Sequence, residues 1–287
     1  MRVAGKVWVV TGGGGGMGRE LVIQLLGRGA RVAAVDRNPA ALSGTADAAG
    51  ANRSRLSTHV VDITDRTAVQ GLPAEVAAIH GTVDGLINNA GIIQPFVPVA
   101  ELDDATIERV LDVNLMGTLH MVQAFLPVLA TRPEAHLANV SSMGGFFPFP
   151  GQTMYGASKA AVRLLTEGLY AELLDTNIGV SVIFPGAVNT GISENSGIAM
   201  PAPEDQGKMP ILSPAKAARI MIRGIEKNKL HIYVGPDSKL MSLAIKVAPR
   251  PAIRFVQQQM SKRLPASATP SNRGRAQRRR PPKAWPG

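Results

Sequence analysis

The chain of 287 residues contains no cysteine. Disulfide bonds, thiolate metal sites and a cysteine nucleophile are therefore excluded, and the composition fits a reducing compartment, so we expect a cytoplasmic protein. No secretory signal pattern opens the sequence, and we expect no apolar run that approaches the roughly 20 residues needed to span a bilayer. The five histidines lie apart without the spacing of metal ligands, so no metal site is expected.

Acidic residues are absent from the last fifty positions of the chain. Residues 238–287 contain twelve lysines and arginines, whereas the residues before them hold nineteen basic and twenty-one acidic side chains. The formal charge of +10 therefore belongs to a basic C-terminal extension. The body of the chain is not expected to bind nucleic acid.

Apolar runs typical of buried strands alternate with helical patterns seven times along the body. This alternation predicts a single doubly wound, Rossmann-like α/β domain over residues 1–237, with a seven-stranded parallel sheet. A long helical pattern covers residues 104–131. Residues 191–213 lack clear periodicity and predict a mobile lid. The strands are expected at residues 6–11, 31–35, 57–61, 83–87, 136–140, 179–184 and 230–234.

A glycine-rich loop joins the first strand to the first helix. It fits both Gly-x-Gly-x-x-Gly and Thr-Gly-x-x-x-Gly-x-Gly, the second through Thr11, Gly12, Gly16 and Gly18. Glycines at this junction let the backbone approach a pyrophosphate at the positive end of a helix. Because five consecutive glycines satisfy almost any spacing, a flexible turn remains the alternative.

Polar residues end the next three strands. Asp36 can accept hydrogen bonds from an adenosine ribose and disfavour a 2′-phosphate, which favours NAD over NADP, although Arg37 could attract that phosphate. Asp62-Ile63 could meet an adenine, and Asn88-Asn89-Ala90-Gly91 suits close backbone approach to a cofactor. The alternatives are helix caps for the two aspartates and an ordinary turn for the amides.

Tyr155 and Lys159 stand one helical turn apart, on one face of a predicted helix. There the ammonium is expected to lower the pKa of the phenol, so that the phenol can exchange a proton with a substrate oxygen. A hydroxyl pair, Ser141 and Ser142, precedes them. Asn114 lies among apolar neighbours, where it could also be a core amide bonded to backbone.

In this order, the glycine loop, Asn88–Gly91, Asn114, Ser142, Tyr155, Lys159 and Pro185-Gly186 resemble the short-chain dehydrogenase/reductase family, over about residues 4–235. The resemblance implies that Tyr155 is the acid/base and that Ser142, thirteen residues before it, holds the substrate oxygen. It also implies that Lys159 lowers the pKa of the tyrosine and binds the nicotinamide ribose. Asn114 is expected to position a relay water.

The resemblance further implies an NAD cofactor, with NADP possible, and a homotetramer or homodimer. Asp36 and Arg37 are expected at the adenosine ribose, Asp62 and Ile63 at the adenine, and Val188 and Thr190 at the carboxamide. The remaining cofactor-binding residues implied are Gly12, Gly16, Met17, Gly18, Asn89, Ala90, Gly91, Tyr155 and Lys159. The all-glycine run from Gly12 to Gly16 departs from the family pattern.

The expected reaction is hydride transfer between NAD and a secondary alcohol or ketone. Phe146, Phe147, Phe149 and Met154 lie between Ser142 and Tyr155 in sequence and indicate a hydrophobic substrate, such as a steroid, terpenoid or lipid-like compound. The alternative is that they pack the core or a subunit contact. The alternative functions are an NADPH-dependent carbonyl reductase and a non-catalytic protein, associated with membrane or nucleic acid, that keeps a vestigial fold.

The C-terminal extension has two parts. Residues 238–264 mix apolar and basic side chains, and we expect them to cover the substrate entrance or a neighbouring subunit. The alternative is an amphipathic segment at an acidic membrane surface. Residues 265–287 combine arginine with proline, serine and glycine and predict a disordered basic tail, with at most nonspecific contact to nucleic acid.

Overall fold

A computed structural model describes residues 1–198 and 211–261 of the chain. Its centre is a seven-stranded sheet in which every neighbouring pair is parallel, in the order β3-β2-β1-β4-β5-β6-β7. The predicted doubly wound α/β fold is confirmed. The strands are β1 (Val7–Thr11), β2 (Arg31–Asp36), β3 (Leu56–Val60), β4 (Gly85–Asn88), β5 (Ala135–Val140), β6 (Ile178–Pro185) and β7 (His231–Val234).

Helices cover both faces of this sheet because successive strand residues point to opposite sides. In β1, Trp8 and Val10 belong to one apolar core, and Val7 and Val9 belong to the other. The helices are α1 (Gly16–Gly27), α2 (Pro39–Ala48), α3 (Arg66–His80), α4 (Asp104–Leu111), α5 (Gly117–Ala130), α6 (Thr153–Glu172), α7 (Ile192–Asn195), α8 (Pro214–Glu226), α9 (Pro236–Val247) and α10 (Pro249–Ser261).

The long helical pattern predicted at residues 104–131 is helical throughout in the structure, but its backbone hydrogen-bond pattern changes partway. A π-helical turn, Asp112–Met116, separates α4 from α5. By length and mean hydropathy the continuous helical stretch Asp104–Ala130 would suffice to cross a bilayer, so the expectation that no such stretch exists is wrong. Met121, Phe125 and Leu129 are fully buried in the apolar core that also contains Val7 and Val9. This burial is typical of a core helix within a domain.

The C-terminal extension is helical in its described part. Helices α9 and α10 pack against each other after β7 and cover most of the amphipathic segment predicted at residues 238–264. Part of the lid predicted at residues 191–213 is described and contains the short helix α7. The rest of that lid and the tail predicted at residues 265–287 lie outside the described residues, and the domain boundary at residue 237 stays a prediction.

A buried histidine in β5 makes the fold sensitive to acid. His136 Nε2 lies 2.9 Å from Ser181 Oγ, and Ser181 donates its only proton to the Lys229 carbonyl at 2.7 Å. The imidazole therefore donates to the serine. Burial, with a smaller contribution from the N-terminal ammonium, lowers the pKa of His136 to about 3.

We predict that this histidine destabilises the fold progressively as the pH falls from 6.5 towards 3. The unfolded chain binds a proton at the ordinary histidine pKa of about 6.5, whereas the folded chain does not, so stability is greatest above that pH. At pH 5 the loss is about 2 kcal/mol relative to pH 7. Urea unfolding of the wild type and of His136→Gln at both pH values measures it. Equal losses in the two proteins would contradict the prediction.

Candidate active site

A cleft of about 560 Å³ opens at the carboxyl ends of β1, β2 and β4. This edge of an open parallel sheet, where the strand order reverses, is the usual ligand site of such folds. Of the predicted cofactor residues, the following line it: Gly12, Gly16, Met17, Asp36, Arg37, Asp62, Ile63, Asn89, Ala90, Gly91 and Thr190. Gly18, Val188, Tyr155 and Lys159 are not among the lining residues. Gly18 packs beneath the loop, and Val188 packs against the apolar core that contains Trp8 and Val10.

The glycine loop is folded tightly at the start of α1. A Cβ atom on Gly18 would lie 1.9 Å from the Gly12 carbonyl oxygen, so no other residue fits at that position. Gly12 has a φ of 66°, which favours glycine. The first turn of α1 therefore faces the cleft with its free N–H groups, as an anion-binding helix start does.

Side chains from outside the loop hold it in place. Arg19 donates to the Gly14 carbonyl at 2.7 Å and to Thr45 Oγ1 at 3.1 Å, and Thr45 donates to the Gly13 carbonyl at 2.9 Å. Gly14 N–H donates to Asp36 Oδ2 at 3.0 Å. Side chains from α1, α2 and β2 therefore hold the loop backbone in one conformation. This argues against the alternative that the loop is a flexible turn. Sequence reasoning missed Arg19 and Thr45.

The two strand-end aspartates are not the side chains that cap the following helices. Asn38 caps α2 by accepting from Ala41, and Asp65 caps α3 by accepting from two backbone N–H groups. Asp62 instead accepts from both the backbone N–H and the hydroxyl of Thr64, at 2.9 and 2.8 Å. The helix-cap alternatives are wrong, and both carboxylates line the cleft.

Asn89 lines the cleft and has one side-chain acceptor that is unused among the described residues. Its backbone N–H donates to Thr11 Oγ1 at 3.0 Å and its Nδ2 donates to the Thr11 carbonyl at 3.1 Å, which ties the end of β4 to the end of β1. Its Oδ1 is buried and has no hydrogen-bond partner among the described residues. A buried acceptor of this kind needs a partner, and a donor on a bound molecule would supply one.

The two serines that follow β5 have different partners. Ser141 is buried and donates to the Lys159 carbonyl at 2.7 Å, which ties β5 to α6. Ser142 Oγ accepts from Gly144 N–H at 3.0 Å and is hydrogen-bonded to the Tyr155 phenol. This arrangement supports the preference for Ser142 as the residue that meets a substrate oxygen.

Lys159 lies beneath the cleft with its ammonium buried. Its Nζ donates to the Val140 carbonyl at 3.1 Å, and burial lowers the pKa of Lys159 to about 8. A Cβ atom on Gly91 would lie 3.0 Å from this Nζ. Gly91 lines the cleft, so the absence of a side chain there leaves the ammonium next to the cleft wall.

The pKa of Tyr155 moves in the opposite direction to the one expected from its spacing to Lys159. Burial raises it, and the hydrogen bond with Ser142 opposes that rise. The expected lowering by the neighbouring ammonium is therefore wrong for this structure. The phenol keeps its proton at neutral pH.

Asn114 lies in the π-helical turn, and its side-chain amide is hydrogen-bonded to groups of the protein interior. Its Oδ1 accepts from Ile92 N–H at 2.9 Å, and its Nδ2 donates to the Ile92 carbonyl and to Ser158 Oγ, both at 3.0 Å. Ser158 in turn donates to the Tyr155 carbonyl at 2.7 Å. The core-amide alternative describes this side chain, and the Asn114 carbonyl accepts from Thr118. The relay water stays a prediction.

Gln94 is a residue of this site that the sequence did not reveal. It is fully buried, and its Oε1 accepts from Met154 N–H at 2.7 Å and Tyr155 N–H at 2.9 Å. Gln152 Nε2 donates to the Gln94 carbonyl at 2.7 Å. Gln94 thus serves as the side-chain cap of α6 and fixes the backbone of Tyr155. A glutamine sixty positions before the helix gives no recognisable capping signal.

Two of the phenylalanines that the sequence suggested for the substrate region, Phe146 and Phe147, pack against other aromatic rings of the protein instead. Phe147 is fully buried against Phe149, so its expected placement is wrong. Phe146 packs edge-on against Phe184 at a centroid distance of 5.3 Å and near Tyr233 at 6.1 Å. Apolar side chains in a folded segment of this kind pack wherever they bury most surface, which sequence alone does not locate.

Comparison with known proteins places these features in a family. The short chain dehydrogenase family matches residues 6–200. Over 272 residues the chain is 32% identical to SadH of Mycobacterium tuberculosis, a protein whose name classes it as an oxidoreductase, covering 91% of this chain and 97% of SadH.

Two solved short-chain dehydrogenases have similar structures. One, from Burkholderia phymatum in complex with NAD, aligns with a TM-score of 0.77 and 26% identity over 92% of this chain and 98% of its own. The other, from Burkholderia cenocepacia in complex with NADP, aligns with a TM-score of 0.75 and 29% identity over 89% and 99%. With the family match and the sheet order, these likenesses establish that the chain belongs to the short-chain dehydrogenase/reductase family of oxidoreductases.

Proposed function

We propose that the chain transfers a hydride between NAD and an uncharged, apolar secondary alcohol or ketone. One observation carries the proposal: the buried ammonium of Lys159 adjoins Gly91, which lines a cleft with the parts of a dinucleotide site, and Tyr155, one helical turn before Lys159, is hydrogen-bonded to Ser142. An acid/base, a second hydroxyl for the same oxygen and a cation are what carbonyl reduction requires of a protein.

The cleft residues fit a nicotinamide dinucleotide. The pinned glycine loop would receive the pyrophosphate at the start of α1, and Asp36 would receive the adenosine ribose. The unpartnered Asn89 Oδ1 offers an acceptor along the same wall. Thr190 lines the opposite side, where Gly16 leaves room for it, and would meet the carboxamide end.

Charge around Arg37 favours NAD over NADP. A second cavity of about 340 Å³ adjoins the cleft there and is lined by two arginines and three carboxylates, Asp62, Glu108 and Asp112. With Asp36 at the ribose position, a 2′-phosphate would meet more negative than positive charge. The alternative, an NADPH-dependent carbonyl reductase, is favoured by Arg37 and by the NADP complex of the Burkholderia cenocepacia relative.

The chain's own residues supply the proton. When bound, the cofactor donates or accepts the hydride at the carbinol carbon. In the direction of reduction, the protonated Tyr155 gives its proton to the carbonyl oxygen while Ser142 holds that oxygen, and an alcohol results. In the direction of oxidation, the phenolate takes the hydroxyl proton back. The Lys159 ammonium would bind a ribose hydroxyl of the cofactor.

The walls near Tyr155 favour a neutral substrate. Residues 92–99 and 143–154 carry no charged side chain, and Gln94 and Gln152 bind these two segments together. A substrate carboxylate would therefore lose water without gaining a cation from either segment, which is costly. The apolar substrate class inferred from the sequence is supported by this lack of charge more than by the phenylalanines.

Tyr155→Phe should lower kcat/KM for ketone reduction by about 10²–10⁴-fold because it removes the proton donor. The Kd for NADH should stay within about threefold of the wild-type value, since the phenol is not the main cofactor contact. Tyr170→Phe, at a more exposed tyrosine on the same helix, is the matched control and should keep full activity. Nicotinamide absorbance and fluorescence titration give both quantities. Unchanged turnover in Tyr155→Phe would disprove the proposed acid.

Asp36→Asn should lower the ratio of kcat/KM with NAD to kcat/KM with NADP by about tenfold or more. The asparagine keeps an oxygen for the Gly14 N–H but removes the charge that repels a 2′-phosphate. Asp65→Asn, at the exposed cap of α3, controls for loss of a negative charge elsewhere. A wild type that uses NADP better, or a ratio that Asp36→Asn leaves unchanged, would argue for the NADPH alternative.

An uncharged methyl ketone should be reduced with a kcat/KM at least about 10²-fold above that of a keto acid of the same length. The comparison is made at a pH where the acid is ionised, and the ester of that keto acid is the control, because it restores neutrality without shortening the molecule. Equal turnover of the acid and the ketone would show that the substrate region accommodates charge.

A further inference from the structure

Helix α9 buries two serines and leaves three large aliphatic side chains exposed. Ser238 and Ser242 face the domain and are 0% and 8% exposed, whereas Leu240, Leu243 and Val247 are 61%, 61% and 76% exposed. The three aliphatic residues recur at i, i+3 and i+7 and so form one stripe. We call Leu240, Leu243 and Val247 the outer stripe.

Polar anchors fix this orientation of the helix. Ser238 donates to the Phe184 carbonyl at 2.8 Å, and Ser242 donates to the Tyr233 hydroxyl at 3.1 Å. Asp237 accepts from Ala187 N–H at 2.7 Å. The helix cannot turn its outer stripe inward without leaving these buried groups unpaired, which is costly. The exposure of the stripe is therefore built into the fold.

Basic side chains surround the outer stripe. Lys239 and Lys246 flank it on α9, and Arg250 and Arg254 lie on α10, which packs against α9. From Ser238 to the last described residue, Ser261, there is no aspartate or glutamate. Helix α10 adds two exposed apolar residues, Ile253 and Phe255. The surface thus combines aliphatic groups with positive charge only.

A phospholipid surface with anionic headgroups has the complementary chemistry. Its acyl region receives aliphatic side chains, and its phosphates attract lysine and arginine within a Debye length. A second copy bound through this surface about a two-fold axis would bring the same cations together, which is unfavourable. Residues 262–287 add eight basic and no acidic side chains to this end of the chain.

We propose that α9 and α10 form a docking surface for anionic phospholipid bilayers, with the outer stripe inserted at the interface. Helix α9 also packs against the turn Met143–Gly145, which follows Ser142 directly. Docking therefore brings the candidate active site close to the lipid. The docking surface itself does not depend on the reaction proposed above.

The test is flotation of the full chain with vesicles of phosphatidylcholine, with or without phosphatidylglycerol. The wild type should bind the vesicles with phosphatidylglycerol at low salt and the neutral vesicles much more weakly. Leu240→Gln/Leu243→Gln/Val247→Thr should bind at least about tenfold more weakly. Lys239→Glu/Lys246→Glu should lose the preference for the anionic vesicles.

The matched control is Leu164→Gln/Leu174→Gln, which replaces two similarly exposed leucines outside the docking surface, on and just after α6. It should bind as the wild type does. Circular dichroism and thermal unfolding verify that each variant is folded, and light scattering measures its mass.

Three results would overturn the proposal. Absence of binding to either vesicle is the first. Binding of the stripe variant equal to that of the wild type would mean that the basic tail alone attracts lipid. A stripe variant that changes the mass of the protein in solution, with lipid binding unchanged, would make a second copy the occupant.

Discussion

A lysine ammonium held away from water is the constraint on which the candidate site depends. Lys159 is almost completely buried, with its Nζ on the Val140 carbonyl, and an isolated buried cation is costly. Its neighbours leave it space: a Cβ on Gly91 would lie 3.0 Å from Nζ, and a Cβ on Gly145 would lie 2.8 Å from the Lys159 carbonyl. The strand ends and α6 approach closely enough to shape the site only because these residues are small.

Buried polar groups hold the other parts of the site to the same sheet edge. Asn88 donates to Asn139 across β4 and β5, and Asn139 donates to Thr166 on α6. Asn114 and Gln94 then fix the two segments that flank Tyr155. In a low-dielectric interior, such hydrogen-bond networks favour one arrangement, and among the described residues Asn88 Oδ1 is a buried atom of this network without a partner. The backbone that carries Tyr155 is thus held by side-chain amides, of which Gln94 bonds directly to the Tyr155 N–H.

The sequence predicted the sheet, the cleft and half of the residues that line it, because these follow from local periodicity, from where strands end and from the family resemblance. It did not predict the clamp of Arg19 and Thr45 or the cap by Gln94, since these side chains meet their partners only after folding brings distant segments together. It predicted the wrong direction for the pKa of Tyr155, because spacing indicates a neighbouring charge but not the burial that outweighs it. The sequence also predicted the wrong position for Phe147, because its burial depends on packing between segments that are distant in sequence.

The burial of the Lys159 ammonium is the central claim of this account, and its effect on the pKa of Lys159 can be measured directly. NMR of the protein labelled with ¹³C at the lysine Cε positions follows each ammonium through its titration, and Lys159→Met assigns the resonance. The account predicts a midpoint near 8 for Lys159, well below the ordinary lysine value of 10.5. A midpoint at the ordinary lysine value of 10.5 would contradict it, because the ammonium would then be hydrated and not held beneath the cleft.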